Sequence, residues 1–333
     1  MQALMITGYG SPRENLKFRN VPDPMVGALD ILIDVHAAAI NPIDNIIVRG
    51  GLKAMRPLKF PAPIGFDVSG TIVKVGSGVS GFKTGQAVFA RVPSERPGTI
   101  AERVAVRADA VALKPENVGF EESASLPLVA LTTMQSFVRG GLKPGGRILI
   151  HAGSGGIGTF AVQYAKALGA HVFTTTSTAN IEWVKELGAD RVIDYKTEDY
   201  REIARDLDMV YDTLGGDYTL DAFDLIKSGG SVVSIKGAID DETARELGLN
   251  ALVRFILRLK ARKIVSKAKA KNAYYKMLLM RPDGAALAEV ARMVEKGNIK
   301  PVLDRSFPFE QSIQALEYLE NGRAKGKVVI EMK

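Results

Sequence analysis

The chain has 333 residues, 46% of them hydrophobic, and it contains no cysteine. This length allows two domains with separate cores, and the lack of cysteine excludes disulfides, thiolate metal sites and a cysteine nucleophile. The net charge of +7 comes from one segment, residues 247–282, which contains ten lysines or arginines and no acid. No stretch approaches the roughly 20 apolar residues of a membrane span, and the N-terminal residues carry no signal pattern. We therefore expect a cytoplasmic protein.

The first 123 residues predict a β-rich domain. Short β-branched and apolar runs alternate there with Gly, Pro and Asn/Asp turns, as in a domain of many short strands. The predicted strands include Ile31–Ala37, Val68–Val75, Ala87–Val92 and Ala101–Val106. Helical periodicity then follows across residues 120–142.

A strand, a glycine turn and a helix come next. Arg147–His151 is apolar and β-branched, which is typical of a strand buried on both faces of a parallel sheet. Gly153, Gly155 and Gly158 form G-x-G-x-x-G directly after it. In a dinucleotide-binding turn such glycines permit a tight turn, close approach of the backbone to a pyrophosphate, and close packing of the helix on the strand. A further strand, His171–Thr175, lies about 20 residues after the first glycine, as this motif requires.

Strands and helices continue to alternate up to residue 283. This alternation predicts a doubly wound parallel sheet with right-handed crossovers. The remaining strands are expected at Arg191–Ile193, Met209–Tyr211, Ser231–Ile235 and Tyr275–Met280, with helices at Ile181–Leu187 and Tyr218–Leu225. Residues 299–333 contain strands around one helix, Gln311–Leu319, and are expected to pack back on the first domain.

The basic segment predicts an amphipathic helix before the last strand of this sheet. Its expected apolar face contains Leu249, Leu252, Val253, Ile256 and Leu259, and its opposite face contains Arg254, Arg258 and Arg262. Two interpretations are open: the apolar face packs on its own domain, or residues 249–271 contact an anionic membrane surface. Nucleic acid is not an expected partner, because Phe255 is the only aromatic residue between Glu246 and Asn272.

Several motifs of the chain occur in the same order in a known family. They are Asn41-Pro42-Ile43-Asp44, Pro63-Ile64-Gly65-Phe66-Asp67-Val68-Ser69-Gly70, Gly76-Ser77-Gly78-Val79, Ser154-Gly155-Gly156-Ile157-Gly158, Leu187-Gly188-Ala189-Asp190, Tyr211-Asp212-Thr213-Leu214-Gly215-Gly216 and Gly326-Lys327-Val328-Val329. On these motifs the sequence resembles the medium-chain dehydrogenase/reductase superfamily and, within it, the zinc-independent quinone oxidoreductase and alkenal/enone reductase group. The resemblance implies an α/β protein with a GroES-like catalytic domain at 1–123, a Rossmann domain at 124–283, and a C-terminal return to the catalytic domain at 284–333. The active site is expected in the cleft between the domains.

The resemblance also implies that no zinc is bound. In the zinc-dependent alcohol dehydrogenases, the positions that match Asn41 and Phe66 are a cysteine and a histidine ligand. The three histidines, His36, His151 and His171, fall in predicted strands rather than in a cluster. We therefore expect no tetrahedral site of nitrogen and sulfur ligands.

Three residues are the expected catalytic group. Without a Lewis acid, reducing a conjugated C=C bond is easier than oxidising an alcohol, because the developing charge spreads onto a carbonyl oxygen as an enolate. Asn41 would offer an amide donor, Thr132 matches a family threonine near the nicotinamide, and Asp44 would orient the loop and the cofactor. Met134 stands where many relatives have a tyrosine, which suggests that water supplies the α-proton.

The expected cofactor is NADP. An NAD site usually places an acid at the end of the second strand, whereas residues 174–180 contain none and offer hydroxyls at Thr175, Thr176, Ser177 and Thr178 for a 2′-phosphate. A lysine that is common in the family is Asn180 here. The residues expected to bind the cofactor are Gly153, Ser154, Gly155, Gly156, Ile157, Gly158, Thr176, Ser177, Tyr195, Leu214, Ser234, Ile235 and Lys327.

These observations predict an NADPH-dependent, zinc-free oxidoreductase. Its substrate would be a small-molecule quinone or α,β-unsaturated carbonyl compound, and we expect the protein to form a homodimer. Two alternatives are open: an enoyl reductase that acts on acyl thioesters, and a cofactor-binding structural or regulatory protein without turnover.

Overall fold

The computed structural model describes residues 1–333 and forms two compact units. The β unit contains Met1–Leu131 and Arg281–Lys333, and the parallel-sheet unit contains Thr132–Met280. The domain boundaries expected from the sequence, at residues 123 and 283, lie eight residues before the first division and three residues after the second. The C-terminal segment therefore belongs with the N-terminal part of the chain.

The N-terminal part of the β unit is built mainly from short strands. Its elements are β1 (Gln2–Ile6), α1 (Pro12–Asn15), β2 (Leu16–Asn20), β3 (Asp30–Ile40), α2 (Pro42–Val48), β4 (Ala62–Pro63), β5 (Asp67–Val75), β6 (Ala87–Arg91), β7 (Arg103–Arg107), a 3-10 turn (Ala108–Ala110), β8 (Val111–Leu113) and α3 (Phe120–Ala124). Strand β3 is the longest and carries β7 against its first half. Its β-branched and apolar residues are buried along almost its whole length, which fits a strand at the centre of a sheet.

The parallel-sheet unit alternates strands and helices, as predicted. After α4 (Pro127–Gly140) come β9 (Arg147–Ile150), α5 (Gly156–Ala167), β10 (His171–Thr176), a 3-10 turn (Thr178–Asn180), α6 (Ile181–Glu186), β11 (Arg191–Asp194), α7 (Tyr200–Ile203), β12 (Leu207–Asp212), α8 (Asp217–Leu225), β13 (Ile226–Ser234), α9 (Asp241–Glu246), α10 (Ala251–Ala270) and β14 (Tyr274–Met277). The six strands lie in the order β11-β10-β9-β12-β13-β14, and every neighbouring pair is parallel. The predicted parallel sheet is confirmed.

The C-terminal return contains α11 (Gly284–Glu295), β15 (Leu303–Pro308), a 3-10 turn (Phe309–Gln311), α12 (Ser312–Glu320) and β16 (Lys327–Glu331). Strand β16 pairs antiparallel with β3, with Val328 opposite Ile40. It thereby completes a seven-stranded sheet, in which β3 also pairs with β5. This register places Lys327 beside the end of β3.

Each unit has its own apolar core. In the β unit Ile33, Val68 and Val88 pack in one buried cluster, and in the parallel-sheet unit Leu149, Val210 and Val232 pack in another. No helix of the structure combines the length and the apolarity that crossing a membrane requires.

Candidate functional site

The glycine turn lies at the switch point of the parallel sheet. The chain passes from β9 to β10 on one side, and the later strand β12 pairs with the other side of β9. In open α/β sheets, ligands bind outside the carboxyl ends of the strands at this point. The turn at residues 151–155 leaves β9 there, and α5 begins directly after it.

The three motif glycines have different surroundings. A Cβ atom on Gly153 would lie 2.2 Å from Thr174 Oγ1, and one on Gly158 would lie 2.2 Å from the carbonyl oxygen of Ala152. A Cβ on Gly155 would meet nothing closer than 3.4 Å. Gly153 and Gly158 therefore permit close packing of turn, strand and helix, whereas Gly155 leaves open space in front of the first turn of α5. The free N–H groups of that turn suit a phosphate, so the cradle fits the pyrophosphate of a dinucleotide.

Only part of the predicted hydroxyl cluster faces this space. Thr175 Oγ1 accepts a hydrogen bond from the Ala152 amide at 3.1 Å, and Thr178 Oγ1 donates to Asp194 at 2.6 Å. Thr176 is buried, and its hydroxyl has no partner. Thr175 is 4% exposed and the Thr178 hydroxyl donates to Asp194, so neither hydroxyl faces the open space. Ser177 is half-buried and stays a candidate.

Asn180 connects the two candidate phosphate-binding segments. Its Nδ2 atom donates to Ser154 Oγ at 3.3 Å and to Ser177 Oγ at 3.1 Å, and Trp183 Nε1 donates to its Oδ1 atom at 3.2 Å. In the sequence, Asn180 was noted only because it stands at a position where the family often has a lysine. Its role in holding two serines together depends on the turn after β10 and could not be read from residue type alone.

The carboxyl ends of β12 and β13 are held together by Asp212, a residue that the sequence did not single out. Its carboxylate accepts hydrogen bonds from the Leu214 and Gly215 amides at 2.9 and 2.8 Å, and from Ser234 Oγ at 2.7 Å. Ser234 is fully buried and its hydroxyl donates to this carboxylate, so its expected role as a direct cofactor ligand is not supported by the structure. Leu214 is 37% exposed at the same edge.

Tyr195 follows β11 and is 56% exposed. Its amide donates to the carbonyl oxygen of Thr176 at 3.1 Å, which ties the end of β11 to the end of β10. It lines an open cavity of about 520 Å³ that also contains the stacked rings of Tyr200 and Tyr218. Tyr195 thus lies at the same sheet edge as the hydroxyls after β10.

A second group of candidate residues lies in the β unit and is buried. Asn41 caps α2, and its Nδ2 atom donates to Asp67 Oδ2 at 2.9 Å. Lys327 Nζ donates to Asn41 Oδ1 and to the carbonyl oxygen of Ile40, and it lies 3.6 Å from Asp67. Arg91 Nε lies 4.0 Å from the other oxygen of Asp67. We call Asn41, Asp44, Asp67, Arg91 and Lys327 the buried polar cluster.

This cluster shows the surroundings of two residues predicted from the sequence. The ammonium group of Lys327, a predicted cofactor-binding residue, contacts three acceptors within the β unit. Asn41, the predicted amide donor, is 2% exposed, and both ends of its amide are hydrogen bonded. One N–H of its Nδ2 atom remains available. Asp67 and Arg91 were missed because each looks like an ordinary strand end in the sequence.

The residues at the family's zinc-ligand positions do not fit a zinc ion. The Asn41 side chain is bound by Asp67 and Lys327, and the Phe66 ring lies 4.3 Å from the guanidinium carbon of Arg91. An ammonium and a guanidinium group beside these positions would repel a dication. No group of three or more His, Cys, Asp or Glu side chains in the structure is arranged to hold a metal ion.

Asp44 is the titratable member of the cluster. Burial raises its pKa to about 7, helped by the nearby Asp67 carboxylate, although a hydrogen bond from the Asn41 amide at 2.7 Å opposes the shift. Its other oxygen is buried without a hydrogen-bond partner. The structure therefore favours its neutral form, whereas Asp67 contacts both cations of the cluster.

Thr132 lies in α4 and belongs to the parallel-sheet unit. Its side chain is 6% exposed, and its carbonyl oxygen accepts a hydrogen bond from Ser136 Oγ at 2.7 Å. Met134, at the position where many relatives have a tyrosine, is buried as well. The catalytic role of Thr132 stays a prediction.

Replacing Gly155 by Val should abolish NADPH binding while the protein still folds. The added side chain enters the space in front of α5, where it meets little protein but would exclude a pyrophosphate. NADPH fluorescence titration and the melting temperature measure the two effects. Ala167→Val is the control, because it adds a β-branched side chain at an exposed position near the far end of the same helix. Full NADPH affinity in a folded Gly155→Val variant would contradict this assignment.

Replacing Asp44 by Asn should change how stability depends on pH. A buried carboxyl with a pKa of about 7 stabilises the fold below its unfolded pKa of about 4, and this contribution is lost as the pH rises through 7. The asparagine side chain of the variant stays neutral at every pH. The melting temperature of the variant minus that of wild type should therefore increase from about pH 5 to about pH 8, which corresponds to a difference in unfolding free energy of about 3–4 kcal/mol at most.

Asp109→Asn is the matched control for this experiment. The exposed Asp109 carboxylate pairs with Arg107, which keeps its pKa below the usual value, so its replacement should add no pH dependence over this range. Parallel wild-type and Asp44→Asn profiles would refute the raised pKa of Asp44.

Comparison with known proteins identifies the family. A family model described as zinc-binding dehydrogenase matches residues 187–330, and one described as alcohol dehydrogenase GroES-like domain matches residues 27–116. The mitochondrial NAD(P)H oxidoreductase RTN4IP1 of Danio rerio is 36% identical, over 100% of this chain and 91% of that protein. The chloroplastic NADPH-dependent alkenal/one oxidoreductase of Arabidopsis thaliana is 33% identical, over 99% of this chain and 79% of that protein.

Solved structures agree with these sequence matches. The quinone oxidoreductase of Coxiella burnetii superimposes with a TM-score of 0.86 at 30% identity, over 100% of this chain and 99% of that one. The predicted GroES-like and Rossmann architecture and the predicted oxidoreductase class are thereby confirmed. The chain belongs to the medium-chain dehydrogenase/reductase superfamily, in the group of quinone and alkenal/one oxidoreductases.

Proposed function

We propose that the protein reduces quinones or the C=C bond of α,β-unsaturated carbonyl compounds with NADPH. The observation that carries this proposal is the open space in front of Gly155. Beside it, Asn180 holds Ser154 and Ser177 together at the position where an NAD site usually has an acidic residue. A relative that is 33% identical is named an NADPH-dependent alkenal/one oxidoreductase, and another at 32% is named a quinone oxidoreductase homolog. Both names agree with this reading of the cradle.

The residues of the parallel-sheet unit would divide the binding of the dinucleotide. Backbone N–H groups of residues 156–158 would bind the pyrophosphate, and Ser154 and Ser177 would donate hydrogen bonds to the 2′-phosphate. Tyr195, Leu214 and Ile235, at the same sheet edge, would contact the rest of the molecule. NADPH supplies the hydride when it is bound.

The buried polar cluster would supply a fixed donor for the substrate carbonyl. Lys327 and Asp67 bind the two ends of the Asn41 amide, so the remaining N–H points in one direction without reorganising when charge develops on an enolate oxygen. The catalytic role of Thr132, which belongs to the parallel-sheet unit, stays a prediction. Water would then protonate the α-carbon, because Met134 cannot donate a proton.

A substrate panel tests this function. NADPH oxidation should be fast with enals or quinones, slow with acyl thioesters, and unchanged by EDTA, while metal analysis of the purified protein should find no stoichiometric zinc. Preference for acyl thioesters would make the protein an enoyl reductase, and NADPH binding without turnover on any class would make it a binding protein. Activity lost on chelation and restored by zinc would refute the metal-free site.

We also propose a cytoplasmic homodimer. The lack of cysteine suits a reducing compartment, and β14 is an edge strand of the six-stranded sheet whose backbone groups a second copy can pair with. Light scattering should give twice the mass of the chain. Cell fractionation tests the location, which matters because several relatives are named mitochondrial or chloroplastic.

Ser177→Asp should reverse the cofactor preference. A carboxylate at this position would repel a 2′-phosphate and accept a hydrogen bond from a ribose 2′-hydroxyl. The ratio of kcat/KM for NADPH to that for NADH should fall by at least about tenfold, since a charge-assisted phosphate bond contributes about 1.5–3 kcal/mol. Asparagine has the size of aspartate without its charge, so Ser177→Asn should change the ratio of kcat/KM values much less than Ser177→Asp. Better use of NADH by the wild-type protein would show that the Ser154 and Ser177 region has been misassigned.

A further inference from the structure

Helix α10 packs on the parallel-sheet unit through a narrow stripe. Ala261, Ile264 and Ala268 are buried, and the last two belong to the core cluster of the unit. Lys267 on the same side donates to Asp224 at 2.6 Å. The other sides of the 20-residue helix face away from the unit.

The apolar face predicted from the sequence lies on the outward side. Leu252 is 70% exposed, Phe255 57%, Leu259 57% and Ile256 46%. The expectation that this face packs on its own domain is therefore wrong. These four residues follow the spacing of adjacent helical turns, so they form one continuous apolar patch in water. Nothing in the unit covers them.

The positive charges of α10 fall into two groups. Arg254 and Arg258 both pair with Asp241, at 3.1 and 2.9 Å, and share this carboxylate with Arg245. Lys260, Arg262 and Lys263 come directly after the apolar patch, are exposed, and take part in no ion pair. The helix contains no acidic residue. The outward side therefore presents an apolar patch followed by unpaired positive charges.

We propose that α10 binds the surface of an anionic membrane. The helix would lie in the plane of the interface, with Leu252, Phe255, Ile256 and Leu259 among the upper acyl chains and with Lys260, Arg262 and Lys263 at the lipid phosphates. A second copy of the chain fits this face less well, because two such helices would bring together positive charges without a carboxylate from either. The proposal is independent of the reaction that the protein catalyses.

Co-sedimentation of the full-length protein with lipid vesicles tests the proposal. The protein should bind vesicles with about 30% phosphatidylserine, should not bind pure phosphatidylcholine, and should lose about tenfold in bound-to-free ratio in high salt. Leu252→Gln/Phe255→Gln/Leu259→Gln and Lys260→Gln/Arg262→Gln/Lys263→Gln should each abolish binding. Retained NADPH oxidation verifies that each variant is folded.

Two matched controls separate the patch from general surface effects. Lys17→Gln/Lys74→Gln/Lys83→Gln removes the same charge from exposed positions of the β unit and should bind like wild type. Val138→Gln replaces an apolar side chain that is 78% exposed on α4 and should also bind like wild type.

Three results would overturn the proposal: equal sedimentation with neutral and anionic vesicles, no sedimentation with either at low salt, or full binding by both α10 variants. Light scattering of the triple apolar variant tests a fourth possibility, that the patch is a contact between two copies of the chain. If that substitution converts a dimer to a monomer, the patch is a contact between two copies and not a membrane surface.

Discussion

The pairing of β16 with β3 is the constraint on which the buried polar cluster depends. It joins the last strand of the chain to the first long one and sets Lys327 beside Asn41, while the start of β5 supplies Asp67 and the end of β6 supplies Arg91. Burying any of these charges alone would cost several kcal/mol, so each is stable only because the register supplies its partner. A slip of β16 by one residue would turn Lys327 to the other face of the sheet.

The ends of the strands in the parallel-sheet unit are held by hydrogen bonds to a backbone carbonyl and to one buried carboxylate. Its strands end at one edge, where Thr213 donates to the carbonyl oxygen of His151 at 2.9 Å and Asp212 binds Ser234. These bonds fix the turns after β9, β12 and β13 without occupying the space in front of Gly155. Burial lowers the pKa of His151 to about 4, so this edge carries no additional positive charge from that ring at neutral pH. The phosphate site thus relies on backbone N–H groups and serines.

Features of the fold that depend on a few neighbouring residues could be predicted from the sequence. The strand, glycine turn and helix at residues 147–167 are found where predicted, because the glycines and the apolar periodicity act within a few residues. Asn41 and Asp44 were identified by a motif, although only their neighbours in space reveal that both are buried. The contacts of Lys327 with Ile40 and Asn41 could not be predicted from the sequence, because these partners lie 287 and 286 residues away in the chain. Helix α11 was not predicted at all.

One of the two interpretations left open for α10, packing of its apolar face on its own domain, fails for a specific physical reason. Periodicity shows that a helix has an apolar side, but the core of the parallel-sheet unit accepts only small and branched residues from it, at Ala261, Ile264 and Ala268. The larger side chains of the first turns lie outside that core, and Arg254 and Arg258 pair with Asp241 at the surface of the unit. Such exposed ion pairs contribute at most about 1 kcal/mol each, so the packing of Ala261, Ile264 and Ala268 sets which side of the helix faces inward. The apolar periodicity of a helix therefore does not show which of its sides is buried, because the pattern carries no information on the shape of the core against which the helix packs.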